Sequence, residues 1–443
     1  MEMLRAMNAA MVECRIPRSG TRSLAFWGIV FLVACYLFGP IWLGAMRVER
    51  GRVNDYYQDW GSARNYWAGL PIYLAHSASV PRHLGLPSNP MKSIEYNAHP
   101  PTSVLLALPL GRLDYPDAVH VWNLVSLAAF LAGLAIVAVA LPFPRELIWP
   151  TCALLLFCHP IYGNFYHGQL TLLLVLLVAS AWALDRSGRT GAAGLLIGIA
   201  AAVKLFPAYL LLYFAIQGRL RALAAAAASF AALTVATAAV LGCEAYRDYL
   251  LVVLPRQEAF RGCDYNAAIA GLWYKLFNPM ADDTLIAPLW RNADLARYGT
   301  LLSDLAVTSI VAAVVRRART PARRDLAFGL TMTAMLLVSP VTWDISLPML
   351  LIPLAVIGRV AGRWPWMPIA LMAVLIVFWV PQNILVGIEA RLCRCRIAYS
   401  PAHMLGVPSV RFYALLATFA LGLAAFRAQG KMEAAEVVVN SHP

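Results

Sequence analysis

The chain is written as long apolar blocks broken by short basic turns. Residues 24–46, 118–141, 147–163, 170–184, 192–203, 205–216, 222–241, 300–315, 326–339, 347–357, 366–386 and 412–426 carry almost no charge. Blocks of this kind read as bilayer-crossing helices, although several are shorter than the ~20 residues that a hydrocarbon core requires. The pattern predicts an all-α polytopic membrane protein, a bundle of about 12 transmembrane helices. Polar and aromatic residues gather instead in two long segments, roughly 47–117 and 242–299, and in a shorter one near 387–410.

Composition agrees, because 60% of residues are hydrophobic and 13% are charged, against about a quarter charged in a soluble domain. Charge also gives an orientation, since Lys and Arg of short loops stay cytoplasmic. Arg5, Arg15, Arg18 and Arg22 precede the first block, and Arg186, Arg189, Arg219, Arg221, residues 316–324, Arg359, Arg363, Arg427 and Lys431 mark later turns. Both termini are then expected in the cytoplasm, with the two long loops outside the inner membrane. The first block reads as a retained anchor, and residues 1–443 as one integral membrane domain. Topology accounts for most of the net charge of +13, so no nucleic-acid partner is expected.

One cation breaks the pattern. Lys204 stands between residues 195–203 and 208–216, in Ala201-Ala202-Val203-Lys204-Leu205-Phe206-Pro207. An ammonium there is costly unless it faces protein, water or an anion. Arg186/Arg189 and Arg219/Arg221 both belong on the cytoplasmic side, which favours a hairpin of two short helices with Lys204 at its tip. Pro207 suits the start of the second helix, where its missing N–H costs nothing. A single tilted helix with Lys204 paired internally is the other arrangement.

The first long loop opens Asn54-Asp55-Tyr56-Tyr57-Gln58-Asp59-Trp60. Carboxylates beside aromatic rings suit carbohydrate chemistry, in which rings stack on sugar faces and a carboxylate takes a hydroxyl proton; an interfacial aromatic belt with solvated acids has the same composition. Tyr96, His99, His167, Gln169, Asn266, Trp343 and Asp344 fall on the same side in the expected topology. Of the eight cysteines, Cys243, Cys263, Cys393 and Cys395 lie in outer loops, where an oxidising compartment permits disulfides; Cys243 with Cys263, or one of these with Cys393 or Cys395, is the expected pairing. Cys393-Arg-Cys395 lacks zinc-ligand spacing, and neither metal nor cofactor is expected.

The order of these segments resembles glycosyltransferase family 87, the polyprenyl-phosphate-mannose-dependent mannosyltransferases of GT-C architecture. The resemblance rests most on Gly168-Gln169 followed by an apolar helix, a basic turn, and a glycine-rich helix that ends in Lys204-Leu205-Phe206-Pro207. It is supported by Asp59, Gly69 and Tyr73, by Tyr96 to Pro101, by Asn266, and by Ser339-Pro340 with Trp343. Many members carry histidines just after that tryptophan, whereas this chain reads Asp344-Ile345-Ser346. The resemblance implies inverting transfer of a hexose, mannose in the family, from a polyprenyl-phosphate donor to a lipid or glycan acceptor hydroxyl at the extracytoplasmic face. It implies Asp59 as general base with Asp55 second, and Lys204, Gln169 and His167 as donor-phosphate contacts. Tyr96, His99, Asn266, Trp343 and Asp344 are then substrate contacts. The rival class is a transporter or flippase of lipid-linked sugars, with Lys204 as a midplane contact and no base.

Overall fold

The computed structural model describes residues 21–49, 51–91, 94–141, 151, 154–155, 157–280, 288–362, 364–381, 384–385, 387–388 and 401–440. Arg5, Arg15, Arg18, Arg363, Cys393 and Cys395 lie outside the described residues, as does most of the stretch before residue 157 that was read as the third span. Among the described residues every regular element is a helix. Six helices are long and apolar enough to cross a membrane by length and composition: Ala25–Ala45, Tyr115–Ala140, Leu220–Leu241, Ala293–Arg317, Asp344–Ala361 and His403–Ala435. Thr190–Val203, Phe206–Ile216 and Trp366–Trp379 are shorter apolar helices.

In chain order the elements are α1 (Thr21–Ala45), α2 (Tyr57–Trp67), α3 (His76–Leu84), α4 (Pro101–Ala107), α5 (Tyr115–Ala140), α6 (His159–His167), α7 (Thr171–Arg186), α8 (Thr190–Val203), α9 (Leu211–Ile216) and α10 (Leu220–Leu241). After them come α11 (Cys243–Asp248), α12 (Ile269–Phe277), α13 (Ala293–Arg317), α14 (Pro321–Val338), α15 (Leu351–Ala361), α16 (Trp366–Trp379) and α17 (Val410–Asn440). The two long polar segments are therefore themselves helical, the first folding as α2 to α4 and the second as α11, α12 and short 3-10 and π turns.

The core is built around α14. Thr320 accepts from the Arg323 N–H at 3.3 Å and Pro321 occupies the first turn, a polar cap followed by a proline that needs no donor. From Asp325 to Leu337 every residue of α14 is buried, against α13, α15 and α17. Thr331 and Thr333 return their hydroxyls to the Ala327 and Gly329 carbonyls at 2.8 and 3.1 Å, which lets two polar side chains sit in an apolar bundle.

The segment around Lys204 is a hairpin. Asp185 at the end of α7 pairs with Arg219, which follows α9, so residues 190 and 216 lie at one end of the bundle and Lys204 at the other. Arg186 pairs with Asp325 at that same basic end. At the turn α8 stops at Val203, Lys204 is extended with φ −150° and ψ 130°, and a 3-10 turn runs over Phe206–Leu210 before α9. Lys204 and Pro207 sit where the hairpin reading put them, and a continuous tilted helix does not form.

The hairpin is clamped to α10 by two glycines. A Cβ on Gly194 would lie 2.0 Å from the Ala222 carbonyl oxygen, and one on Gly198 would lie 2.1 Å from Ser229 Oγ. Small residues four apart let two apolar helices approach this closely, and Ser229 Oγ uses the approach to donate to the Leu195 carbonyl at 2.9 Å. Alanine is the better helix former by ~1 kcal/mol, yet Gly194→Ala is expected to lower stability by about 1–3 kcal/mol through overpacking. Thermal unfolding of the detergent-solubilised protein measures this, and a variant as stable as the parent would remove the clamp.

Candidate functional site

The first polar segment places its acids by folding back on the bundle. Tyr56 N–H donates to the His167 carbonyl at 3.0 Å, and Tyr56 stacks on Trp122 at 5.2 Å between ring centroids. This docking needs Gly168, whose φ of +67° ends α6 and whose added Cβ would lie 2.6 Å from Tyr56 Cβ; only glycine meets both demands without strain. Gln169, next in sequence, donates from Nε2 to Asp55 Oδ2 at 2.8 Å. His167 Nδ1 lies 3.5 Å from the same oxygen.

One turn further along, Asp59 is 1% exposed and its carboxylate is surrounded by donors. Ser103 Oγ donates to Oδ1 at 2.6 Å and Asn97 Nδ2 to Oδ1 at 3.2 Å, while His99 Nδ1 lies 2.8 Å from Oδ2. Burial alone raises a carboxyl pKa, but here the adjoining His99 imidazole and the hydrogen bonds from His99, Ser103 and Asn97 outweigh it, and Asp59 is held below the ordinary value. Donors that favour the charged form explain the sign, so the carboxylate is ionised at neutral pH.

Lys204 completes the group. The carboxylates of Asp59 and Asp55 are the charges that act on its ammonium, so the hairpin tip faces both acids of the first loop. No hydrogen bond or ion pair holds the Lys204 ammonium among the described residues. The structure therefore brings Asp55, Asp59, His99, His167, Gln169 and Lys204 to one end of the bundle. Tyr96 lies at the rim, its ring 4.7 Å from the Arg256 guanidinium.

Asn266, Trp343 and Asp344 form a second group. Asn266 is fully buried and its amide is spent on backbone: Nδ2 donates to the Arg261 and Pro340 carbonyls at 3.1 and 3.0 Å, and Oδ1 accepts from the Ala268 and Thr342 N–H groups at 3.0 Å each. It ties the second loop to the Ser339-Pro340 turn and leaves no group for a ligand. Trp343 is half-buried. Asp344 Oδ2 lies 3.5 Å from His159 Nδ1, and its Oδ1 lies 3.3 Å from Arg411 Nε. His159 thus brings an imidazole from α6 beside Asp344. His159 and His167 begin and end α6, which separates the two groups by ~12 Å of helical rise.

Sequence reasoning missed Asn97, Ser103, His159 and Arg411. The first two flank His99 in Asn97-Ala98-His99-Pro100-Pro101-Thr102-Ser103, and that density of polar residues around two prolines was the available signal. For His159 and Arg411 there was none, because their partner Asp344 is remote in sequence. The expected Cys243–Cys263 disulfide is corrected: Cys243 is an exposed thiol opening α11 and Cys263 Sγ lies 3.3 Å from Asp264 Oδ1. Each starts or follows a separate turn of the second loop, and the two are not joined. A cavity of about 960 Å³ opens at the opposite, basic end, where Arg316, Arg317, Arg319 and Arg323 line it beside Ile216.

Fold and site define a membrane protein whose Asp55, Asp59, His99, His167 and Lys204 are gathered at one end of an apolar helical bundle. The chain belongs to glycosyltransferase family 87, whose model matches residues 97–340, a stretch that runs from Asn97 and His99 through Lys204 to Pro340. Among its relatives is the polyprenol-phosphate-mannose-dependent alpha-(1-2)-phosphatidylinositol pentamannoside mannosyltransferase of Mycolicibacterium smegmatis. It is 28% identical over 292 residues, which cover 62% of this chain and 66% of that protein. Another is the polyprenol-phosphate-mannose-dependent alpha-(1-2)-phosphatidylinositol mannoside mannosyltransferase of Mycobacterium tuberculosis, 27% identical over 402 residues that cover 85% of this chain and 87% of that protein. No solved structure matches the chain.

The donors around Asp59 give a stability prediction. A carboxyl whose folded pKa is depressed contributes stability that is fully present above its unfolded value near ~3.9 and is lost as pH falls through the folded value. Asp59→Asn removes that contribution, so the stability gap between parent and variant is expected to narrow as pH falls below ~4. Chemical unfolding across pH 3–7 tests it; a gap that widens on acidification contradicts the assignment.

Proposed function

We propose that the protein is an inverting membrane glycosyltransferase that moves a hexose, mannose by analogy with its relatives, from a polyprenyl-phosphate donor to an acceptor hydroxyl at the extracytoplasmic face. The observation that carries this reading is Lys204, an unpartnered cation at a hairpin tip in the field of Asp55 and Asp59. The acceptor is a lipid or glycan hydroxyl. In its full topology the bundle has about 12 spans, several shorter than the usual ~20 residues, with both termini cytoplasmic and residues 47–117 and 242–299 outside.

Direct displacement at the sugar's anomeric carbon asks for two things. A proton must leave the acceptor hydroxyl, and charge must be met on the departing phosphate. A general base centred on ionised Asp59 serves the first, with Asp55 as the nearby second carboxylate. Lys204 serves the second, because the leaving polyprenyl phosphate goes from one negative charge to two as its bond to the sugar breaks, and a fixed cation in a low-dielectric site is worth most where charge develops. Gln169 and His167 flank the phosphate position, and Tyr96, Trp343 and Asp344 flank the acceptor and prenyl paths.

Purified protein in detergent, supplied with polyprenyl-phosphate mannose and a membrane glycolipid extract, is expected to form a mannosylated product. Lys204→Ala is expected to weaken donor binding and turnover together, since the same cation meets phosphate in the ground state and more strongly in the transition state. Movement of the lipid-linked sugar across liposomes with no transfer product would establish a transporter instead. Cysteine-accessibility labelling that reached position 59 only from the cytoplasm would overturn the orientation.

A further inference from the structure

We infer that His99, held by Asp59, is the group that takes the acceptor proton; this rests on the sugar-transfer reading above and names the catalytic residue within it. Asp59 is poorly placed to take the proton itself. It is 1% exposed, Oδ1 already receives Ser103 and Asn97, and Oδ2 faces His99. A sugar hydroxyl arriving at that carboxylate would have to displace one of three short contacts from an almost fully covered site.

His99 has the complementary geometry. Its Nδ1 lies 2.8 Å from the ionised Asp59 Oδ2, which fixes the N–H on Nδ1 and leaves the lone pair on Nε2. Nε2 has no hydrogen-bond partner among the described residues. The residue is also immobilised at its backbone: its N–H donates to Asn97 Oδ1 at 2.9 Å, its carbonyl accepts from the Tyr73 hydroxyl at 2.7 Å, and Pro100 follows. Asn97 in turn donates to both Asp59 and Ser62. A ring so fixed, with one nitrogen occupied by a carboxylate and the other unbonded, is arranged as a base whose conjugate acid the carboxylate stabilises.

The step balances. The acceptor O–H bond breaks as its proton passes to Nε2, the oxygen forms a bond to the anomeric carbon, and the bond from that carbon to phosphate oxygen breaks with its electron pair on the phosphate. The imidazolium then loses its proton to water. Asp59 stays ionised and acts as the positioning residue.

Two variants and one spectrum decide between this arrangement and a direct carboxylate base. His99→Asn keeps a side-chain N–H at the position of Nδ1, so Asp59 retains its donor while Nε2 is lost; turnover is expected to fall by 10²–10⁴-fold with donor binding retained. His99→Ala opens space at the ring, and added imidazole is expected to restore part of its activity. Transfer by His99→Asn within a few-fold of the parent would overturn the inference, as would His99→Ala that imidazole does not revive. The spectrum is independent of activity. In ¹⁵N-histidine-labelled full-length protein, with the His99 signal assigned by its loss in His99→Asn, the neutral ring is expected with its proton on Nδ1. A proton on Nε2 overturns the inference even if sugar transfer is established, whereas the Nδ1 form supports the dyad even if the substrate proves different.

Discussion

A buried negative charge organises the end of this protein at which Lys204 meets the first loop. Asp59 has almost no contact with solvent, so it persists as an anion only because Asn97, His99 and Ser103 all bring donors to it, at a site where an unpaired carboxylate would be costly. Those three partners sit in one short stretch around Pro100-Pro101. Binding them to α2 fixes the path of the first loop across the top of α8 and α10, where Thr102 also meets Tyr246 at 3.1 Å. The loop is therefore a packed lid built from helices, not a tether.

The opposite pole is equally constrained. Lys204 reaches that lid because the hairpin behind it is packed at glycine distance on α10 and anchored at its base by Asp185 and Arg219. Shortening the helices to Thr190–Val203 and Phe206–Ile216, below the usual ~20 residues, is what brings a lysine near two carboxylates without running a charge through the middle of an apolar helix. The cation and the anions thus stabilise one another while the Lys204 ammonium stays free of any hydrogen bond among the described residues, an arrangement suited to a phosphate whose charge changes during reaction.

Much of this was legible in the sequence, and the reason is local. Basic turns on either side of residues 190–216 and the helix-starting Pro207 define the hairpin within some thirty residues, so Lys204 was placed by short-range rules alone. The family resemblance reached Asp59, Gln169 and the Lys204 segment on similarly compact motifs. What stayed hidden were pairings between remote residues. His99 was legible as a polar residue near the site but not as the partner of Asp59, forty positions away. Asn266 had the composition of a ligand and turned out to be spent on four backbone groups. Cys243 and Cys263 had a plausible spacing for a disulfide, but spacing carries no information on the direction of the side chains. Asp344 found its imidazole in His159 from another helix, which no local pattern could announce.

The central claim is that Lys204 and the Asp59–His99 pair face one reaction centre at the same end of the bundle. The most direct measurement is a cryo-electron microscopy structure of the full chain with a non-hydrolysable polyprenyl-phosphate sugar analogue. The account predicts the phosphate within ion-pair distance of the Lys204 ammonium, ~2.8 Å, and the sugar's anomeric carbon between it and the His99 ring. A phosphate bound instead in the cleft of Arg316, Arg319 and Arg323 at the basic end, or remote from Lys204 altogether, would contradict it.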